Sequence, residues 1–77
     1  MNKFPSKETV ERIRRQYPKG TRVALVRMND PYNDLLKPGS LGTVLFVDDT
    51  ATIHVNWDCG SSLGVIYGED LCRKIEV

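Results

Sequence analysis

Residues 42–63 constrain the fold more than any other stretch of this chain. They open with Gly42-Thr43-Val44-Leu45-Phe46-Val47-Asp48-Asp49 and continue through Ile53-His54-Val55-Asn56-Trp57-Asp58-Cys59-Gly60-Ser61-Ser62-Leu63. Within them residues 52–57 alternate strictly. Ile53, Val55 and Trp57 are apolar, whereas Thr52, His54 and Asn56 are polar. Successive side chains of an extended chain point to opposite faces, so one face of this strand is buried and the other is wet. Asp48-Asp49 supplies turn chemistry on one side, because short acidic side chains bond to their own backbone. Cys59-Gly60 marks a tight turn on the other, with Gly60 providing the positive φ that such turns require. The reading is three consecutive antiparallel strands, near residues 41–47, 52–57 and 61–66. A meander of this kind is half of a very small β-barrel.

The flanking sequence completes the pattern. Residues 6–17 read as a short helix. Ser6 is a good N-cap, since its hydroxyl can accept from an otherwise unpaired first-turn N–H. Pro18-Lys19-Gly20 stops the helix. Val10, Ile13 and Tyr17 share one face. Glu8 with Arg12 and Glu11 with Arg15 form i,i+4 pairs on the other, acid first. A helix of about three turns is marginal alone in water, so it must dock. Residues 22–28 read as a strand whose Val23-Ala24-Leu25-Val26 run is nearly all apolar, as expected where both faces are covered. The helix is expected to supply that second cover, in cis or across a dimer. Residues 29–40 form a long loop ending in the turn chemistry of Pro38-Gly39. Tyr67-Gly68-Glu69-Asp70 turns the chain before a last strand near 72–75. The expected class is mainly β: a five-stranded SH3-like barrel with one N-terminal α-helix, an OB-type barrel being the other candidate. The layout is a tail at 1–5, the helix at 6–17 and the barrel at 18–77.

Size and composition narrow the rest. Seventy-seven residues make one domain. A chain this short buries only about 60% of the surface that its unfolded form exposes. No apolar run approaches the ~20 residues needed to span a bilayer, and no apolar segment follows Lys3 as in a signal peptide. A cytoplasmic location with no membrane association is therefore expected. The two cysteines, Cys59 and Cys72, have no second pair and only one histidine beside them, too few ligands for zinc. Two reduced thiols are expected, Cys59 exposed in its turn and Cys72 buried.

Charge is unevenly distributed. Residues 1–27 hold eight Lys or Arg against Glu8 and Glu11, and residues 28–77 hold three against eight acids, which leaves the chain at +1. A basic segment of this kind can serve as a nucleic-acid arm, with Arg12, Arg14, Arg15, Lys19 and Arg22 as its contacts. Alternatively, it folds back on the acidic barrel.

Enzyme chemistry finds little to work with. His54 is the only imidazole, flanked on its wet face by Thr52 and Asn56, and Cys59 lies about 16 Å away along an extended chain. No partner geometry supports a general base there. Asp30, Asn33 and Asp34 lack the acid ladder and central glycine of a calcium loop. No glycine-rich loop precedes a helix, so no phosphate cradle is indicated. No catalytic residue, metal or cofactor is therefore expected. Asp30, Tyr32, Trp57 and Tyr67 are instead the candidate lining of a binding groove, with Tyr32 on the long loop and Trp57 and Tyr67 at strand ends. Aromatic grooves take proline-rich segments, methylated cations or stacked bases. Trp57 also continues the Ile53, Val55 face, which makes it equally a core residue.

Several local motifs recur together. They are Gly20-Thr21-Arg22-Val23, Met28-Asn29-Asp30-Pro31-Tyr32, Pro38-Gly39, Gly42-Thr43-Val44, Val47-Asp48-Asp49 and the Trp57-Asp58 to Ser62-Leu63 segment. Through them residues 18–76 resemble a small family known as domain of unknown function 4314. The resemblance implies a bacterial or phage protein, often coded on mobile elements, with no activity established for the family. The Gly-Thr-Val and Trp-Asp-x-Gly-Ser pieces are also similar to Mind-bomb-type and KOW-type SH3-like domains, a likeness of fold that cannot carry function. The family usually has Asn where this chain has Cys59. The functional expectation is a non-catalytic protein-binding or adaptor module, monomeric or homodimeric. The alternatives are a nucleic-acid-associated protein using the basic segment and a phage-type inhibitor of a host complex.

Overall fold

A computed structural model describes residues 5–30 and 33–75. Its helix, α1, spans Lys7–Gln16. Ser6 caps it as the sequence requires: its Oγ accepts from the Thr9 N–H at 3.2 Å. Tyr17 closes the other end, its N–H donating to the Ile13 carbonyl at 2.9 Å. Val10 and Ile13 are buried, with Tyr17 packed beside them. Neither i,i+4 pair on the outer face closes into an ion pair among the described residues, in keeping with the small worth of exposed pairs. No described helix is long and apolar enough to cross a membrane.

Four strands follow: β1 at Arg22–Arg27, β2 at Leu41–Val47, β3 at Ile53–Trp57 and β4 at Leu71–Lys74. They form one antiparallel sheet in the order β3-β2-β1-β4. Its inner face carries Val23, Leu25, Val44, Val47, Ile53, Val55, Trp57 and Cys72 in a single buried cluster, which also takes in Val10, Ile13, Leu36, Ala51 and Val65. The alternation read from residues 52–57 is therefore correct.

The strand expected at residues 61–66 does not form; among the described residues there are four strands, and β3 and β4 end the sheet without pairing. The reason is local. The segment runs beside β3 in one register, with Trp57 N–H donating to the Ser61 carbonyl at 3.3 Å and Ile53 and Val65 exchanging both backbone bonds. At its midpoint the Leu63 carbonyl accepts the indole N–H of Trp57 at 2.8 Å instead of a backbone N–H. The Leu63 N–H is drawn to Ser61 Oγ at 3.3 Å. The ladder is broken where a side chain takes the carbonyl that the neighbouring strand would have used.

Both hairpin turns share one design. The Gly60 N–H donates to Trp57, and the Ala51 N–H to Asp48, each closing a four-residue turn. The last residue of each has a positive φ, 97° at Gly60 and 62° at Ala51. This is the pattern of a type I turn followed by a left-handed residue. Cys59 precedes that position, so the absence of Asn there carries no backbone penalty. Ala51 does adopt the left-handed conformation, which costs an L-residue about 1–2 kcal/mol, and its methyl is buried in the core.

The helix docks on its own sheet but not where expected. It approaches β2 rather than β1. Arg14 fastens it there, donating from Nε and Nη2 to the Val47 carbonyl at 3.1 and 3.0 Å and from Nη2 to Asp49 at 3.2 Å. The outward face of β1 is correspondingly open at Val26, which is 39% exposed.

Trp57 is 1% exposed, and its six-membered ring lies under Gly42. A Cβ built on Gly42 would meet Trp57 Cε3 at 2.8 Å and Val55 Cγ1 at 2.5 Å. Trp57→Ala should cost about 3–5 kcal/mol, the range for deleting a buried large aromatic. Gly42→Ala should cost about 1–3 kcal/mol through overpacking. Urea unfolding followed by far-ultraviolet circular dichroism measures both. A loss below about 1 kcal/mol at Trp57, the ordinary cost of a substitution, would contradict its place in the core.

Candidate binding groove

An apolar-floored opening lies between α1 and the end of the sheet. It encloses about 420 Å³. Ile53, Val65, Ala51 and Cys72 form its floor, and Tyr17 and Tyr67 stand at its sides. Arg12 from α1 and Arg27 from the end of β1 line it as well. Both arginines are exposed, and neither forms an ion pair among the described residues. Tyr67 is 47% exposed. Burial, with the adjacent Cys72 thiol as a smaller contributor, pushes the Tyr17 phenol up from its ordinary value. The Lys74 ammonium lies 5.7 Å above the Tyr17 ring, within cation–π reach. Burial also pushes the Cys72 thiol up to about 11, so it is a neutral, packed group at pH 7.

Asp70 shapes this opening from below. It is buried, and its two oxygens accept from different loops: Oδ1 from the Asn29 N–H at 2.8 Å and Oδ2 from the Ile66 N–H at 3.0 Å. It thereby ties the start of the long loop to the turn that carries Tyr67. The rest of that loop is pinned too. Asn33 Oδ1 accepts from the N–H groups of Leu35 and Leu36, and Leu36 is buried. The Ser40 N–H donates to Lys37 across Pro38-Gly39, with Gly39 at φ 95°, as in a type II turn.

Of the four residues expected to share a groove, the three that are described are not gathered in one. Trp57 lies in the core, outside the groove just described. Tyr67 belongs to the groove just described, whereas Asp30 lines a neighbouring hollow with His54 and Ser62. Tyr32 lies outside the described residues. Sequence reasoning missed Arg12 and Arg27 as groove residues, Tyr17 as a wall and Asp70 as the tie. The only available signal for Asp70 was its place just after the Gly68 turn.

The basic set also divides. Arg14 is committed to Val47 and Asp49. Arg22 forms a two-pronged pair with Asp58, at 2.9 and 2.7 Å, and also reaches Thr43 at 2.9 Å. Arg12, Arg15 and Lys19 are exposed. Two cations of the basic segment thus fold back on acids of the sheet.

His54 has a structural setting. Its Nε2–H donates to Asp48 Oδ2 at 2.8 Å, and its ring stacks on Phe46 with centroids 4.3 Å apart. Asp48 Oδ1 meanwhile accepts from Thr50 N–H, Thr50 Oγ1 and Thr52 N–H. Among the described residues no group of three or more His, Cys, Asp or Glu is placed to hold a metal.

These contacts set a pH dependence. Partial burial pushes the Asp48 carboxyl up, but the bonds from His54, Thr50 and Thr52 outweigh it and hold the group well below the usual range. The hydrogen bonds from Arg22 hold Asp58 low as well. A carboxyl whose folded value lies below its unfolded value of about 3.9 stabilises fully above that value and loses its contribution as pH falls through the folded one. Thermal midpoints should therefore drop as pH falls below about 4. Asp48→Asn should flatten that drop more than Asp58→Asn, and equal slopes in all three proteins would exclude both carboxyls as its origin. Asp70→Ala, by contrast, should lower stability at neutral pH by about 1–3 kcal/mol for each N–H left unpaired, read from chemical denaturation.

The model of the family described as Domain of unknown function (DUF4314) matches residues 6–75 of this chain. No curated protein and no solved structure matches it.

Proposed function

The chain belongs to the DUF4314 family, and we propose that it is a non-catalytic binding module for a segment of another protein, built on an SH3-like β-barrel. The observation that carries the binding role is the groove between α1 and the sheet. Its floor is apolar, its sides aromatic and its rim cationic, a composition suited to holding a partner. The chemistry-bearing side chains nearby are otherwise engaged: His54 holds a turn carboxylate, Cys72 packs in the core and Asp70 ties two loops.

Support for the barrel comes from the segment at 61–65. It keeps a single antiparallel register along the far side of β3. Counting it as a bowed fifth strand gives the order 61–65, β3, β2, β1, β4. That is a meander whose last strand returns beside the first, as in an SH3-like fold. Trp57 then serves as the pin of the bow.

The nucleic-acid alternative rests on Arg12, Arg15 and Lys19, with Arg14 and Arg22 neutralised by Asp49 and Asp58. Non-specific duplex binding depends on unopposed positive charge, so it should be no tighter than about 10⁻⁴–10⁻⁶ M at physiological salt.

The test selects binders from a random dodecapeptide library and maps them by amide and side-chain NMR shifts. Perturbations at Ile13, Tyr17, Tyr67 and Cys72 are expected. Binders that shift only residues remote from the groove would refute the site. Sub-micromolar affinity for a random duplex at physiological salt, measured by anisotropy, would favour the nucleic-acid role.

A further inference from the structure

The unpaired charges that line the groove are of one sign. Arg12 and Arg27 reach it from different elements, α1 and the end of β1. Both are exposed, and neither forms an ion pair among the described residues. Arg14 and Arg22, by contrast, each meet an aspartate. The one carboxylate in the lining, Asp70, is buried and already accepts two backbone N–H groups. Beside these groups stand the aliphatic floor and two tyrosines.

An occupant of this groove covers guanidinium groups together with apolar surface. A charge taken out of water without a partner is costly, so a neutral occupant leaves two such groups uncompensated. A cationic one, a methylated lysine included, adds like-charge repulsion. Carboxylates remove the penalty, and the guanidinium fork matches their geometry. The aliphatic floor of Ile53 and Val65 calls for a bulky apolar group as well. The Tyr17 ring has the Lys74 ammonium over one face and packs against the core, which leaves it a wall rather than a platform for stacked bases. Gln16, exposed at the end of α1, adds to the lining a neutral amide that both donates and accepts, as a peptide main chain requires.

We propose that the groove selects an acidic segment of a partner protein by its side chains: one large apolar side chain rests on Ile53 and Val65 between Tyr17 and Tyr67, and carboxylates near it in sequence meet Arg12 and Arg27. Selectivity resides in charge and bulk, with no strand added to the sheet. The apolar anchor supplies affinity, and the two arginines reject neutral and basic segments of the same bulk. This inference rests on the reading of the groove as a site for a protein segment.

The experiment repeats the dodecapeptide selection on the wild-type chain, on Arg12→Gln and Arg27→Gln singly, and on the charge reversal Arg12→Glu/Arg27→Glu. Both arginines are exposed and free of ion pairs among the described residues, so the variants should keep the circular dichroism spectrum and melting point, which are recorded first. The wild-type pool should be enriched in Asp and Glu around a bulky apolar residue, and the charge-reversed pool in Lys and Arg around the same kind of residue. The best wild-type peptide should weaken about tenfold for each arginine replaced by Gln, the order expected when a hydrogen bond to a charged group is removed. Should the charge reversal fail to fold, the two Gln variants decide the matter alone. A wild-type pool that is neutral, basic or proline-rich, yet still shifts Tyr17 and Tyr67, would overturn this inference and leave the segment-binding reading standing. An acidic pool whose affinity is unchanged in both Gln variants would do the same. A mixed-sequence single-stranded dodecanucleotide that displaces the best peptide at equal concentration would overturn it in favour of a nucleic-acid occupant. No enrichment on the wild-type chain would overturn both readings.

Discussion

The Trp57 indole is the contact on which the rest of this small sheet depends. Its ring fills the inner face of β3, beneath a glycine of β2 that leaves room for nothing larger than hydrogen. Its N–H reaches past the strand edge to the Leu63 carbonyl at 2.8 Å. One side chain thus closes the core and ends the regular ladder. A domain of this size has few large apolar groups to bury, and its margin is correspondingly thin. The polar handle of the indole matters as much as its bulk, because a buried N–H needs a partner. The chain supplies one in the Leu63 carbonyl, on the segment that runs beside β3.

Around that centre, carboxylates do much of the joining. Asp48 organises the turn between β2 and β3 and holds His54 across it. Asp58 is clamped by Arg22, which spans β1, β2 and the end of β3. Asp70 fastens the long loop to the turn before β4. Each accepts from two or more donors, and hydrogen bonds to a charged acceptor are stronger than those to a neutral one. Three of the eight acids beyond residue 27 are therefore structural. Arg12 and Arg27 have no such partner among the described residues, and both line the groove.

α1 connects these features. Its Val10 and Ile13 join the core while Arg14 hooks the last carbonyl of β2, so the helix is held at the end of the sheet rather than over its outer face. That placement creates the groove, because Tyr17 and the exposed flank of the helix then stand opposite β4. Had the helix lain over β1, it would have covered Val26 and left no such opening.

The sequence by itself determined the helix with its Ser6 cap, the alternation of β3, both hairpin turns and the Pro38-Gly39 turn. It also separated the buried Cys72 from the exposed Cys59. All of these rest on local rules, on periodicity and on the φ preferences of particular residues, which operate within a few positions along the chain. Tertiary structure alone decided what required distant groups to meet. Whether residues 61–66 form a strand turned on which donor claimed the Leu63 carbonyl, and Trp57 lies six residues away on a different segment. The seat of α1 turned on Arg14 finding Val47, thirty-three residues later. The groove is the furthest from the sequence, since Arg12, Arg27, Tyr67 and Cys72 come from four elements with no shared spacing. Their convergence follows from the packing of the helix against the sheet, and no pattern along the chain encodes it.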